Sequence, residues 1–89
     1  MIQAERTPNP NSLKFTAASG RFSGGDIFAI TSADEADRHP LGESLFAIEG
    51  VVDVFITPEF VTVSKAETTE WTTLKGRIED TLTDYLQAS

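Results

Sequence analysis

Apolar and polar residues alternate most regularly between positions 50 and 65, in two runs that are rich in β-branched residues. A break at Thr57-Pro58-Glu59 separates the runs, and its proline has a φ suited to a turn and no N–H for a strand ladder. The pattern therefore predicts a β-hairpin. One register places its apolar side chains on a single face, with Ile56 opposite Val61, Val54 opposite Val63, and Val52 beside them. The rest of the chain must cover that face.

A second alternating pair lies at the start of the chain, in residues 1–6 and 12–17, and predicts two more strands. The loop between them consists of Thr7, Pro8, Asn9, Pro10 and Asn11. The prolines force extended conformations on the residues before them, and the asparagines favour turns. This second hairpin would place on one face the side chains of Ile2, Ala4, Leu13, Phe15 and Ala17.

The segment between the two hairpins is less regular. Residues 18–25 are rich in Gly, Ser and Ala and predict a mobile loop, whereas residues 26–31 favour a short edge strand. Ser32 and Glu35 have the spacing of a capping box, which predicts a helical turn. That turn should end near Arg38, because a proline follows two residues later.

Two helices are predicted to cover the hairpins. Pro40 suits the first position of one helix, whose apolar stripe is Leu41, Leu45, Phe46 and Ile48 and whose stop is Gly50. Thr68 or Thr69 can cap the other helix, with Glu70 in its first turn. The stripe of this last helix comprises Trp71, Leu74, Ile78, Leu82, Tyr85 and Leu86.

The elements together predict an α+β fold formed by a single domain over residues 1–89. Its order is ββαββα, and it forms a two-layer sandwich in which two helices lie on one face of an antiparallel sheet. We expect the Trp71 side chain alone to contribute about 3–5 kcal/mol to this packing, as large-to-small substitutions in cores do.

Composition narrows the classes of function. The 89 residues include no cysteine, which removes disulfides, zinc–thiolate sites and cysteine-bound iron–sulfur clusters within this chain. The formal net charge of -7 would repel a phosphate backbone, so no nucleic-acid partner is expected. No apolar run approaches the roughly 20 residues of a membrane span, and the first residues do not have the pattern of a signal peptide. A cytoplasmic location is therefore expected.

Candidate catalytic chemistry is sparse. His39 is the only histidine, and the acidic residues Asp34, Glu35 and Asp37 precede it closely. These residues allow three hypotheses: a metal site, weak iron binding by the three carboxylates, or a general base. The preferred interpretation is a solvated histidine at a helix entrance, with acids that stabilise a helix N-terminus. No catalytic or metal site is predicted, and the chain is not expected to be an enzyme.

Two phenylalanines on the central hairpin are candidates for recognition. In the proposed register Phe55 and Phe60 lie on the face opposite the valines, or at the turn. If both helices cover the valine face, these rings form an exposed patch together with Pro58. The alternative is that the loop around Phe22, or the segment Ile27-Phe28, folds over them.

Several of these pieces, in order and across nearly the whole chain, resemble the N-terminal domain of the Nfu/NifU-like iron–sulfur cluster scaffold proteins. The matching pieces are Thr7-Pro8-Asn9-Pro10-Asn11-Ser12-Leu13-Lys14-Phe15, Pro40-Leu41 with Leu45-Phe46, Glu49-Gly50-Val51 with Val54-Phe55, Phe60-Val61-Thr62-Val63 with Lys65, and Trp71 with Leu74-Lys75. The first piece is the specific one. The chain departs from the family pattern in residues 17–25, which lack a Pro-Gly, at Gly42, where alanine is common, and at Thr57-Pro58-Glu59, which replaces a turn that contains glycine.

The resemblance implies a non-catalytic accessory domain that takes part in iron–sulfur cluster assembly or delivery by binding assembly or recipient proteins. The Cys-x-x-Cys pair of the family lies in a separate domain, so this chain is expected to bind no cofactor, and the cluster is implied only through that domain or a partner. The expected partner-binding residues are Thr7, Pro8, Asn9, Pro10, Asn11, Phe55 and Phe60. The alternatives are an unrelated α+β adaptor or ligand-binding module, and an enzyme that relies on His39.

Overall fold

The structure, a computed structural model, describes residues 2–88. It contains a five-stranded sheet, with β1 at Ile2–Arg6, β2 at Ser12–Ala17, β3 at Phe28–Ile30, β4 at Val51–Ile56 and β5 at Phe60–Lys65. A 3-10 helix at Ala33–Arg38 leads into helix α1 at Pro40–Phe46, and helix α2 at Trp71–Ala88 follows the sheet. Neighbouring strands are antiparallel, in the order β1-β2-β5-β4-β3.

The α+β class is confirmed, and the order of elements needs one addition. The short strand β3 pairs with β4 at the edge of the sheet before the first helix, so the order ββαββα omits a strand. Both helices cover the same face of the sheet. A single buried cluster joins the inward side chains of the strands to both helices. The helices contribute Leu41 and Leu45 from α1 and Leu74, Ile78 and Leu82 from α2.

The predicted register of the central hairpin is confirmed at both pairs, since Val54 lies opposite Val63 and Ile56 opposite Val61. The prediction for Val52 was wrong. An irregularity between Val51 and Asp53 adds one residue to β4, and this shifts the alternation of side chains by one. As a result Val51 is buried, whereas 47% of Val52 is exposed.

The loop before β3 has irregular backbone, as predicted, but it supplies a core side chain. Phe22 is 0% exposed and belongs to the main cluster, and its N–H donates to the Pro58 carbonyl at 3.0 Å. The loop is therefore attached to the turn between β4 and β5. Because the Phe22 ring lies on the inner face of the sheet, it does not fold over Phe55 and Phe60.

The helix starts differ from the predicted capping. Ser32 makes no side-chain cap hydrogen bond, and Glu35 Oε1 instead accepts from the N–H and the hydroxyl of Thr31 at 3.2 and 2.9 Å. The predicted capping box is therefore wrong, although the helical turn does end at Arg38. Helix α1 begins at Pro40 as predicted. The carbonyl of Glu70 accepts from the N–H of Thr73 at 3.0 Å, which places Glu70 just before α2 and not in its first turn.

Two glycines occupy positions that other residues would fill poorly. Gly50 has a φ of +101°, in the left-handed region that glycine adopts without strain, and it turns the chain from α1 into β4. Gly42 is buried in α1, and the space of a side chain there is taken by Ile30 Cδ1 and the Ala36 carbonyl. The packing of Ile30 therefore accounts for a glycine at this position.

Candidate protein-binding surfaces

The loop formed by residues 7–11 is held in shape by its own side chains. Thr7 Oγ1 accepts from the Asn9 N–H at 3.1 Å, and Asn9 Oδ1 accepts from the Asn11 N–H at 2.9 Å. Both are local turns of the kind that Thr and Asn side chains favour. The Asn9 carbonyl also accepts from the Ser12 N–H at 3.0 Å. Hydrogen bonds therefore order this loop without regular secondary structure.

Trp71 and Lys65 attach the loop to the rest of the domain. The indole Nε1–H of Trp71 donates to the Pro10 carbonyl at 3.0 Å. Lys65 is 8% exposed, and its Nζ donates to Asn11 Oδ1 at 3.2 Å and to the Ala66 carbonyl at 3.3 Å. The same Nζ lies 5.8 Å from the centre of the Trp71 ring, within the range of a cation–π contact. The start of α2 and the end of β5 thus fix the loop.

A cleft of about 340 Å³ opens between this loop and the tryptophan, and we call it the loop cleft. Its lining comprises Arg6, Thr7, Pro8, Asn9, Pro10, Ser12, Leu13 and Trp71. Four of the five predicted loop residues line it, whereas Asn11 turns its amide towards Lys65. The cleft combines apolar walls with a few polar groups, which suits the docking of a protein side chain or short segment.

Phe55 and Phe60 lie on the face of the sheet opposite the helices. Phe55 is opposite Thr62, and Phe60 is opposite Thr16, which places the rings on the central strand β5 and on β4 beside it. The ring centres are 6.2 Å apart, and Lys14 Nζ lies 4.7 Å from the centre of Phe60. Within residues 2–88 no helix covers this side, but the two rings are half-buried and not fully exposed. We call this surface, centred on Phe55 and Phe60, the aromatic face.

The structure does not bring all the predicted binding residues together. The Lys65 N–H at the end of β5 donates to the Asn11 carbonyl, whereas Phe60 begins the same strand. Five residue steps of a strand span about 16 Å. The loop cleft and the aromatic face are therefore two separate surfaces at opposite ends of the strands.

The aromatic face includes apolar residues that sequence reasoning missed. Ile27 is 62% exposed, and Val52 is 47% exposed. Ala29 lies opposite Phe55 on β3 and is exposed. The alternation of Ile27, Phe28 and Ala29 was a signal that could have revealed the first of these, because Phe28 packs against the core. The exposure of Val52 had no such signal, since it depends on the irregularity in β4.

His39 is a buried structural residue, contrary to the expectation of a solvated one. It is 7% exposed, and its ring lies between Phe28 at 4.8 Å and Tyr85 at 5.7 Å. Its Nδ1 accepts from the Leu41 N–H at 3.1 Å, which caps α1. Burial lowers the pKa of His39 below its usual 6.5, although a hydrogen bond to the Phe22 backbone opposes this change. The imidazole is thus occupied in holding α1, the Phe22 loop and α2, and it is poorly placed to act as a general base.

The stability of the fold should fall when His39 is protonated. A folded-state pKa below that of the unfolded chain means that the unfolded state takes up the proton first. The contribution of neutral His39 to the free energy of unfolding is therefore fully present above about pH 6.5. It decreases as the pH falls from there towards the lowered pKa of the folded state. Urea unfolding at intervals from about pH 7.5 to about pH 5.5 should show this decrease.

The control is His39→Asn, which keeps a side chain able to cap a helix but does not titrate. Its stability should be lower than that of the natural chain at pH 7.5 and nearly constant across the same range. An equal decrease in both proteins would mean that another group causes it.

Glu35, one of the acidic residues near His39, has other partners in the structure. Glu35 accepts hydrogen bonds from Thr31, which lower its pKa, and its other oxygen lies 3.7 Å from Arg38. Over residues 2–88 no group of three or more His, Asp or Glu side chains is placed to hold a metal ion. The geometry therefore gives no support to iron binding by Asp34, Glu35 and Asp37.

Within residues 2–88 no helix is long and apolar enough to cross a bilayer.

The comparison that decides the family is a match over almost the whole chain. The sequence model of the family described as scaffold protein Nfu/NifU N terminal matches residues 2–89. The chain belongs to the Nfu/NifU N-terminal domain family. The resemblance that rested on the motif of residues 7–15 is therefore confirmed. The match gives no support to the alternative of an unrelated adaptor.

The curated relatives of this Nfu N-terminal domain include proteins from flies. The chain is 37% identical over 84 residues to the mitochondrial NFU1 iron–sulfur cluster scaffold homologue of Drosophila persimilis and 38% identical to that of Drosophila grimshawi. The alignments cover 94% of this chain but only 30% and 28% of those relatives. The chain thus spans less than a third of their length.

Solved structures show the same architecture. The solution structure of a NifU-like protein from Saccharomyces cerevisiae superposes with a TM-score of 0.86 at 29% identity, covering 100% of this chain and 80% of that one. The crystal structure of protein SAV1430 from Staphylococcus aureus gives 0.73 at 27% identity, covering 90% of this chain and 94% of that one.

The comparisons correct the expected location. The fly relatives are named as mitochondrial scaffold proteins, which points to the mitochondrion, so the expectation of a cytoplasmic Nfu domain was wrong. That expectation used the lack of a membrane-length apolar run and of a signal-peptide pattern, and it was compatible with the lack of cysteine. None of these properties distinguishes the cytoplasm from another reducing compartment.

Proposed function

We propose that this Nfu N-terminal domain is a non-catalytic accessory domain that binds proteins during iron–sulfur cluster assembly or delivery. Its partners are scaffold or recipient proteins of that process. The proposal is supported by membership of a scaffold family and by relatives named as iron–sulfur cluster scaffolds. The cluster itself would be cargo, held by a separate domain or by the partner, because this chain has no thiolate to offer it.

The main observation behind the proposal is the open aromatic face. A sheet of this kind has one covered side, and its solvent side is usually polar. Here the central strand β5 and its neighbour β4 instead carry Phe60 and Phe55 on that side, within ring-contact distance of each other. Covering apolar surface contributes about 2.5 kcal/mol per 100 Å². Two half-buried phenylalanines at the centre of a sheet therefore suit the core of a small protein interface.

The loop cleft offers a second contact surface. Its loop is ordered by internal hydrogen bonds and attached through Trp71, so little conformational entropy would be lost when a partner binds there. A rigid loop at one end of the sheet and an aromatic patch towards the other can engage two parts of one partner, or two partners in turn.

Titration of the ¹⁵N-labelled chain with purified iron–sulfur scaffold and recipient proteins tests the proposal. We expect at least one of them to shift the amide signals of residues 7–11, or of residues 55 and 60 with their strand neighbours. Phe55→Ala combined with Phe60→Ala should weaken binding at the aromatic face about tenfold or more, which corresponds to roughly 1.4 kcal/mol or more.

Phe46→Ala is the matched control, because Phe46 is also half-buried but lies on α1 in the other layer. It should leave the affinity unchanged. The proposal would be refuted if none of these proteins bound, or if the signals that moved lay on the exposed side of α2 alone.

A further inference from the structure

The aromatic face extends beyond the two phenylalanines towards β3 and the start of β4. Ile27 and Val52 are the large apolar side chains most exposed to solvent in residues 2–88. Ala29 lies directly opposite Phe55, so only a methyl group stands beside the outer edge of that ring. An apolar strip therefore runs from the centre of the sheet to its β3 edge. Within residues 2–88 no helix covers it, and the Lys14 side chain lies over its Phe60 end.

Acidic groups border this strip. Asp53 lies on β4 two residues before Phe55, on the same side of the strand, and it is half-buried. Burial raises its pKa, and the negative charge of Glu35 raises it further. Two like charges with an unfavourable interaction thus stand at one end of the apolar strip. A cation placed there would relieve both the repulsion and the cost of desolvation.

Two cations lie near this strip, and within residues 2–88 their contacts are with groups other than Asp53. Arg38 lies 3.7 Å from Glu35 and is about half exposed. Lys14 lies over the Phe60 ring and opposite Glu5 on β1, at the other side of the sheet from Asp53. The whole chain has a net charge of -7. The strip is therefore apolar at its centre and acidic at its β4 end, which is complementary to a basic partner.

We propose that the aromatic face binds an extended segment of a partner protein in which a lysine or arginine is followed two residues later by an apolar side chain. The cation lies at Asp53 and Glu35, and the apolar side chain lies on Phe55 and Phe60. Side chains two residues apart in a strand project to the same side about 7 Å apart, which matches the spacing of Asp53 and Phe55 on β4. The inference rests on the proposed protein-binding function and names the chemistry of the partner at one of its two surfaces.

A second copy of this chain is a poor occupant of the same face. A symmetric dimer through this face would bring Asp53, Glu35 and Glu5 of both copies to one interface, against Lys14 and the Arg38 that already pairs with Glu35. Both copies also carry a large negative charge. Charge complementarity therefore favours a basic partner over self-association.

Two blocked synthetic peptides test the inference with the whole chain. The first peptide repeats the sequence Lys-Thr-Leu-Thr, so that each lysine is followed two residues later by a leucine. In the second peptide, glutamate replaces each lysine. At low salt the lysine peptide should shift the amide signals of residues 27, 29, 53, 55 and 60 and bind at least about tenfold more tightly than the glutamate peptide. Added salt should weaken this binding, because exposed charges are screened.

Matched substitutions separate a local contact from the net charge of the protein. Asp53→Asn should weaken binding of the lysine peptide about threefold to tenfold. Asp80→Asn changes the net charge equally, but Asp80 is exposed on α2 in the other layer, and this variant should bind as the natural chain does. Phe55→Ser provides a second variant that removes apolar contact and leaves the charges in place. It too should weaken binding.

The inference is wrong if the glutamate peptide binds as well as the lysine peptide, if the shifted signals lie outside the aromatic face, or if Asp53→Asn and Asp80→Asn weaken binding equally. It is also wrong if neither peptide binds, or if the signals of this face change with protein concentration alone, which would indicate a dimer. Scaffold or recipient proteins that bind only at the loop cleft would remove this inference and leave the proposed function standing. Absence of binding by all of those proteins would remove the proposed function itself.

Discussion

Phe22→Ala is expected to destabilise the domain by about 3–5 kcal/mol, which is the usual cost of truncating a fully buried phenylalanine. The side chain is 0% exposed and packs within the main core, although it belongs to a loop. A chain of this length has a total stability of roughly 4–13 kcal/mol at typical values per residue. The variant should therefore be largely or marginally unfolded at room temperature.

Urea unfolding followed by circular dichroism measures this effect. Arg21→Ala is the matched control, since Arg21 is the exposed neighbour of Phe22, and it should change the free energy of unfolding by less than about 0.5 kcal/mol. If the midpoints of Phe22→Ala and of the natural chain agreed, the loop would not be part of the core.

The importance of Phe22 illustrates what the sequence could predict about the fold and what it could not. Strands and helices repeat a local period, so the register of β4 with β5 and the stripe of α2 can be read from the spacing of apolar residues. A single aromatic residue in a segment rich in glycine and serine has no period. Its burial is decided by contacts with residues that are distant in sequence, and these become visible only in the folded chain.

The error at Val52 has the same origin. Sequence alternation assumes one residue per step along a strand, and the irregularity between Val51 and Asp53 breaks this assumption. The same irregularity exposes Val52 beside Asp53 at the end of the aromatic face. A local departure from regular pairing therefore shapes the surface that we propose to be functional.

The candidate surfaces were predictable in part. The aromatic face follows from the register, because side chains opposite the buried valines must point away from the helices. The separation of this face from the loop cleft does not follow from local patterns. It depends on the order of strands in the sheet and on the hydrogen bond between Lys65 and Asn11. The buried position of His39 was also missed, since its neighbours come from β3 and α2.

Trp71→Ala is expected to destabilise the domain by about 2–3 kcal/mol, less than the 3–5 kcal/mol of a fully buried aromatic residue. The structure shows a half-buried side chain at the start of α2, not a core residue. The substitution removes its packing on the loop, its hydrogen bond to the Pro10 carbonyl and its contact with Lys65. Lys65 would then remain buried with one neighbour fewer.

The same variant should loosen the loop cleft, which gives a second readout. Hydrogen exchange should become faster at the amides of Asn9 and Asn11, whose hydrogen bonds depend on the shape of the loop. Exchange at Phe55 and Val63, in the centre of the sheet, should change only as much as the global stability does.

Trp71→Phe separates the two contributions of the tryptophan. The phenylalanine keeps an aromatic ring that packs on the loop and contacts Lys65, but it cannot donate to the Pro10 carbonyl. The free energy of unfolding should therefore fall by about 1 kcal/mol, the net value of one hydrogen bond. Equal losses for Trp71→Ala and Trp71→Phe would show that the hydrogen bond, and not the packing, holds the loop. If neither variant changed exchange in residues 7–11, the loop would be ordered by its own turns alone, and the cleft would not need the tryptophan to keep its shape.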